Sequence, residues 1–304
     1  MYTVLMPPVP VTLLDGGLAT ELERHGHDLS DDLWSARLLR DDPAAVRDVH
    51  LAFFRAGAQV ATTASYQASF EGYAAAGVPA AEAEALMRSS VSLARSAADE
   101  AEATDGVRRE VAVSVGPYGA VVADGSEYHG DYGVTDGFLR DFHARRFDVL
   151  ADSGADLLAV ETIPSEQEAT VLTELLSVMP SGTRAWLSLT CADGARTRRG
   201  EDAGRVFSLA RDVDAVVAVG VNCTAPEHVA DLVSAAAAAS GKPAVAYPNS
   251  GESWDGAART WGGDGAGVDP VAAGDWVARG ARFVGGCCRV GAEDIARLAS
   301  ALRG

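Results

Sequence analysis

Apolar positions along the chain follow two alternating rhythms. Eight short runs are almost continuously apolar, as expected of strands covered on both faces: Thr12–Leu14, Gln59–Thr63, Glu110–Val115, Asp156–Val160, Arg184–Leu189, Ala215–Val221, Pro243–Ala246 and Ala281–Val284. Between and after them, apolar residues recur at helical spacing over Pro43–Arg55, Ala80–Ala103, Thr135–Asp152, Ser165–Val178, Glu201–Arg211, Pro226–Ala239, Asp269–Arg279 and Ala292–Leu302. Thr135, and Thr224 ahead of Pro226, are positioned to cap helix starts. Gly57, Gly154 and Gly280 stand where a helix hands over to a strand, in the related phrases RAGAQV, DSGADL and ARGARF. Recurrence of that junction predicts one repeated β-α unit.

Eight such units in 304 residues predict an α/β fold, a single (β/α)8 TIM-type barrel forming one domain over residues 1–304. A doubly wound open sheet is the alternative. It would carry a glycine fingerprint after the first strand, and DGGLATELERHG lacks that spacing. The Gly-rich stretch Asp255–Val268 reads as a loop able to act as a mobile lid. It holds no lysine, which disfavours phosphate binding.

Composition narrows the function classes. The net charge of −18 excludes nucleic acid and anionic membrane surfaces as natural partners. No apolar stretch is long enough to span a bilayer, and Met1–Val11 lacks the pattern of a secretory signal, so a cytoplasmic protein is expected. The single lysine, Lys242, precedes Pro243–Ala246 at the amino-terminal end of a strand, away from the chemistry of a barrel. That argues against a Schiff-base enzyme. Four cysteines, two of them adjacent, suit metal or catalytic thiols better than a disulfide framework.

Three of those cysteines carry the sharpest signal. Cys223 follows the run Ala215–Val221, and Cys287-Cys288 follow Ala281–Val284 through two glycines. All three therefore stand at the carboxyl ends of strands, where parallel α/β folds gather their active sites. Three thiolates with one open position make a zinc site that can accept a substrate sulfur. A free thiol, with a pKa of about 8.5, is mostly protonated at neutral pH, and coordination ionises it. A thiolate-rich centre is anionic, so it attracts a cationic methyl donor and suits alkyl transfer better than hydrolysis. A redox pair between Cys223 and Cys287, or inert packing, are the other readings of these thiols. Cys191, after Leu187–Thr190, is placed to line a pocket but is a weaker ligand candidate.

The segments LLDGGLATELERHG (Leu13–Gly26), TTASYQAS (Thr62–Ser69), SVGPYGA (Ser114–Ala120), VETIP (Val160–Pro164), GVNC (Gly220–Cys223), YPNSGE (Tyr247–Glu252) and GGCCR (Gly285–Arg289) resemble, in order, the homocysteine S-methyltransferases. The similarity is greatest to the short type that uses S-methylmethionine or S-adenosylmethionine, since there is no long extension of the betaine-dependent kind. The resemblance implies zinc ligation by Cys223, Cys287 and Cys288, with homocysteine sulfur in the fourth position. Tyr247 and Asn249 are candidates for a weak fourth ligand when substrate is absent. It further implies that Asp15 and Glu161 hold the homocysteine ammonium, while the amides of Gly16 and Gly17 approach its carboxylate. Thr63, Ser65 and Asn222 are additional substrate-contact candidates. For the donor, Tyr66, Tyr118, Tyr247 and Trp34 offer aromatic faces to a sulfonium, and Asp124 and Glu127 offer charge. The implied partners are small molecules, with a monomer expected. The remaining alternatives are a redox-sensing thiol barrel with a reversible Cys223–Cys287 disulfide, a methyltransferase acting on another small thiol or selenol, and one using betaine.

Overall fold

The apolar runs pair side by side in parallel. In the computed structural model, which describes residues 10–29, 35–122, 125–126, 129–255, 260–262 and 265–302, the strands are β1 (Thr12–Leu13), β2 (Val60–Thr62), β3 (Glu110–Val115), β4 (Leu157–Ile163), β5 (Ala185–Leu189), β6 (Val216–Asn222), β7 (Ala244–Tyr247), β8 (Ser253–Asp255), β9 (Thr260–Gly262) and β10 (Ala281–Val284). Eight of them form one parallel sheet in the order β1-β10-β7-β6-β5-β4-β3-β2. A parallel bridge from Leu14 to Val60, with Gln59 N–H donating to Leu13 O and Asp15 N–H to Val60 O, joins the two ends into a ring. The expected (β/α)8 barrel is therefore present.

Helices wrap the ring and bury their apolar stripes against it. Pro43–Arg55 and Ala292–Leu302 form over the expected residues. Thr135 caps Asp136–Ala151 by accepting from Phe138 N. Thr224 does not cap the helix Pro226–Ser240. Ala225 holds that position, and the Thr224 hydroxyl instead accepts from Cys191 N and donates to Asn222 O, tying the end of β5 to the end of β6. Gly57, Gly154 and Gly280 all take positive φ at the expected junctions.

Two clusters make the core. The larger lies between strands and helices. The smaller fills the barrel, with Leu14, Val60, Ala112, Leu157, Ala159, Trp186, Ala218, Val245 and Tyr247 contributed around the ring. Trp186 fits there because its inward neighbours include three alanines, an alternation of large and small that keeps a small barrel filled. The barrel is thus filled by side chains, and a cavity opens at the carboxyl ends of its strands. The segment read as a lid contains β9 and begins at the last residue of β8, with which β9 pairs antiparallel.

A candidate thiol and carboxylate site

At that open end, Gly16 and Gly17 after β1, Glu161 and Thr162 in β4, Asn222 and Cys223 from β6, Tyr247 from β7, and Cys287 and Cys288 after β10 line one cavity of about 110 Å³. The sulfurs of Cys223, Cys287 and Cys288 all lie within 4.8 Å of one another. Cys223 and Cys287 have Cα atoms 5.7 Å apart and their sulfurs in disulfide contact, and the Cys288 sulfur is 3.9 Å from that of Cys287. Three soft donors converging on one point, one buried and two half-buried, are a donor set that fits a thiophilic metal ion. Cys191 stands outside the group. It is buried, and burial pushes its thiol up to about 12.

The backbone is bent to make this convergence. Thr162, Cys223 and Arg289 are the non-glycine residues with positive φ among those described, at 62°, 46° and 67°. Such conformations cost on the order of 1–3 kcal/mol each and collect at functional sites. Arg289, next to Cys288, is anchored twice. Its N–H donates to Thr20 Oγ1 at 2.8 Å, and its Nε donates to Glu252 Oε2 at 3.0 Å. The glycines around it permit close packing. A Cβ on Gly17 would stand 2.6 Å from Cys287 O, and one on Gly16 would stand 2.4 Å from Val290 O. Gly17 N–H donates to Val290 O at 2.9 Å, so this amide holds the cysteine loop and is engaged rather than presented to a substrate carboxylate.

Two buried carboxylates make the second half of the site. Glu161 is 7% exposed and accepts from Ser114 Oγ and, at 2.9 Å, from the Tyr247 hydroxyl, which itself accepts from Trp186 Nε1 at 2.9 Å. Burial raises its pKa to about 7, against the opposing pull of those two donors. Asp15 lies one residue back from the lining. Its oxygens accept from Thr62 N at 2.8 Å and Thr62 Oγ1 at 3.0 Å, and burial raises its pKa well above the ordinary value, with the Glu161 charge adding to the shift. No arginine or lysine is paired with either group among the described residues. Two acids buried together without a cation are suited to receive one from a ligand.

The other expected contacts divide. Thr63 lines the cavity, but its hydroxyl accepts from Ser114 N and bonds Ser65 Oγ, which donates to Ser114 O at 2.7 Å. Thr63 and Ser65 thereby lace β2 to β3. Tyr66 lines the cavity, whereas Tyr118 packs edge-on against Tyr132, Phe138 and Phe142 away from it. Asn249 is buried outside the lining, its Oδ1 without a hydrogen-bond partner among the described residues. Trp34, Asp124 and Glu127 lie outside the described residues. Residues that the pattern of the chain gave no reason to choose are Thr62, Ser114, Thr162 and Trp186. Each is a side chain inside a strand run whose inward direction only the ring reveals.

This barrel and site define a methyltransferase of the thiol-acting kind. A family model described as homocysteine S-methyltransferase matches residues 12–302. Homocysteine S-methyltransferase YbgG of Bacillus subtilis is 41% identical, with 97% of this chain and 96% of the relative covered, and a homocysteine S-methyltransferase of Escherichia coli is 44% identical with the same coverage. The selenocysteine methyltransferase of Astragalus bisulcatus is 42% identical over 93% of this chain and 90% of its own. Among solved structures, the metallated form of the homocysteine methyltransferase MmuM of E. coli superposes with a TM-score of 0.87 at 42% identity, covering 96% of both chains, and its oxidized form with 0.86. The chain belongs to the homocysteine S-methyltransferase family. No helix among the described residues is long and apolar enough to cross a membrane.

Proposed function

We propose that the protein transfers a methyl group from a sulfonium donor, S-methylmethionine or S-adenosylmethionine, to homocysteine, forming methionine in a zinc-dependent reaction. The observation that carries this reading is the pairing of three convergent thiols with the buried Glu161 on one cavity, with the buried Asp15 just behind its wall and no cation on either acid among the described residues. Homocysteine has the complementary chemistry, a soft sulfur at one end and an ammonium at the other.

Cys223, Cys287 and Cys288 would hold the metal, and a zinc ion there would supply the charge that favours the ionised form of a substrate sulfur. Asp15 and Glu161 receive the ammonium, whose charge favours the ionised forms that burial disfavours. Ser114 and Tyr247 keep the Glu161 carboxylate turned to the cavity. The Tyr66 ring, on the lining, gives a sulfonium an electron-rich face. The acceptor sulfur attacks the methyl carbon in line with the departing donor sulfur. The new S–C bond forms as the old one breaks, and the sulfonium leaves as a neutral thioether. The walls of the cavity fix the approach, which is where most of the rate must arise. We place the enzyme in the cytoplasm, where reducing conditions keep the three thiols open to metal.

The test is methionine formation by reduced, zinc-loaded protein with homocysteine fixed and S-methylmethionine, S-adenosylmethionine and betaine compared. Turnover with a sulfonium is expected, and the better one names the donor. Turnover with betaine alone, or with none at one zinc per chain, would overturn the assignment. Selenocysteine belongs in the acceptor series because a similar relative bears that name.

A further inference from the structure

The bulge in β4 serves a purpose that substrate binding does not explain. Pairing between β4 and β5 slips between Val160 and Ile163, so Glu161 and Thr162 occupy an irregular stretch. Successive residues of a regular strand face opposite sides, yet both of these line the cavity. The distortion holds Thr162 at φ 62°, a costly conformation for a β-branched residue. Glycine would relieve that cost, so the threonine hydroxyl needs a reason to be there.

Its partners give one. Thr162 Oγ1 accepts from Asn222 Nδ2 at 2.7 Å, which leaves its own hydrogen to donate, and the Cys223 sulfur stands 3.8 Å away. The carboxamide of Asn222 is wholly engaged. Its Oδ1 accepts from Thr162 N at 2.8 Å and Ser188 Oγ at 2.7 Å, which fixes which end is oxygen. The Nδ2 hydrogens are directed to Thr162 Oγ1, to the Cys223 sulfur at 3.4 Å and to the Cys287 sulfur at 4.0 Å. No donor or acceptor is left over for a substrate.

We propose that Asn222 and Thr162 are positioning residues for the thiol cluster: a carboxamide and a hydroxyl, locked by β5 and the β4 bulge, that aim hydrogen-bond donors at the Cys223 and Cys287 sulfurs. Donors of this kind fix ligand direction and withdraw charge from sulfur, and removing such outer partners typically costs about 10–100-fold in metal affinity. Asn222 therefore acts through the cysteines and not on homocysteine. The inference rests on the reading of the cluster as a metal site.

The experiment compares the full-length chain with Thr162→Val, Thr162→Ser, Asn222→Ala and the Thr162→Val/Asn222→Ala double variant. Two quantities are read without substrate: zinc affinity by chelator competition, and the sulfur-to-cobalt charge-transfer band of the cobalt-loaded protein. Thr162→Val is expected to weaken zinc about tenfold and shift the band, with Thr162→Ser restoring both. The double variant should be no worse than Asn222→Ala, because the two side chains act in one chain of bonds. Unchanged affinity and an unshifted band in Thr162→Val would overturn the inference alone, as would equal losses in Thr162→Val and Thr162→Ser. If the unsubstituted protein takes up neither zinc nor cobalt, the metal reading fails and this inference falls with it.

Discussion

The sulfur half and the carboxylate half of the cavity are built by opposite means. Around the sulfurs the backbone is bent and tightly packed, with positive φ at Cys223 and Arg289 and with glycines where any Cβ would collide with the cysteine loop. Around Asp15 and Glu161 the β4 irregularity aims a side chain, but the site is set chiefly by hydrogen bonds and by the withholding of a counter-charge. On the proposed reading, one half fixes geometry for a metal and the other stores electrostatic demand for a ligand. Damage to the first should therefore appear in metal content, and damage to the second in substrate affinity.

The largest expected effect tests that division directly. Cys288→Ala removes one of the three convergent sulfurs, the proposed ligand atoms, and should lower metal affinity by several orders of magnitude, since site formation and ligation are coupled. Metal analysis after dialysis should find an empty protein without turnover. Retention of one zinc and a normal rate would show that Cys288 is not a ligand.

Next in size is Glu161→Gln. The neutral amide keeps the shape but loses the charge facing an ammonium, a change of about 10–100-fold in homocysteine KM for a charge-assisted hydrogen bond. Metal content should stay at the wild-type level. The same variant should be more thermostable than wild type at pH 8. Because burial lifts the Glu161 pKa to about 7 from an ordinary 4.5, this group's contribution to the stability of the ligand-free fold is fullest below pH 4.5 and is lost as pH rises through 7. Glutamine abolishes that decline. A melting temperature at pH 8 unchanged or lowered by the substitution, or a loss of zinc, would show that Glu161 is a structural ion and not a ligand-seeking one.

Gly17→Ala strikes the sulfur half through packing alone. Its Cβ would meet Cys287 O at 2.6 Å, so the cysteine loop must shift, at a cost of about 1–3 kcal/mol. Lower melting temperature and weaker zinc binding should appear together, with homocysteine KM little changed once metal is saturating. A variant that altered KM alone would return Gly17 to the role of a substrate-facing amide.

Legibility in the chain followed the same division. The eight barrel strands were readable because strands covered on both faces are continuous apolar runs, and the cysteines because adjacent thiols at strand ends have few other uses. Several short helices, such as Leu18–Arg24, Phe70–Ala75 and Tyr118–Val122, escaped notice because one or two turns carry too little periodicity to register. The β8–β9 pair straddles the start of a Gly-rich stretch that reads as loop, which hides it. The β4 bulge is a property of register, and nothing in VETIP distinguishes a regular strand from one that turns Glu161 and Thr162 to the same cavity. Thr62, Ser114 and Trp186 were invisible for a related reason. A polar or aromatic side chain within an apolar run becomes meaningful only when closure of the ring shows what stands opposite.

The smallest expected effect is the most specific to the electrostatic half. Ser114 Oγ donates to Glu161, and this hydrogen bond favours the ionised carboxylate against burial. Ser114→Ala removes the donor and leaves Tyr247 as the remaining hydrogen-bond partner on the other oxygen. The Glu161 pKa should then rise above its present value near 7, because burial is opposed by one donor in place of two. Ammonium binding needs the carboxylate, so homocysteine KM falls as pH rises through that pKa, and the inflection in log KM against pH should move to higher pH in the variant. At pH well above the inflection, the two proteins should converge to within a few-fold, the residue of one lost hydrogen bond worth about 1 kcal/mol. Zinc content should not differ at any pH. An inflection left in place would mean that Glu161 is not the group whose ionisation gates binding, and Asp15, whose pKa burial also raises and which bonds to Thr62 instead, would be the acid to test in its stead.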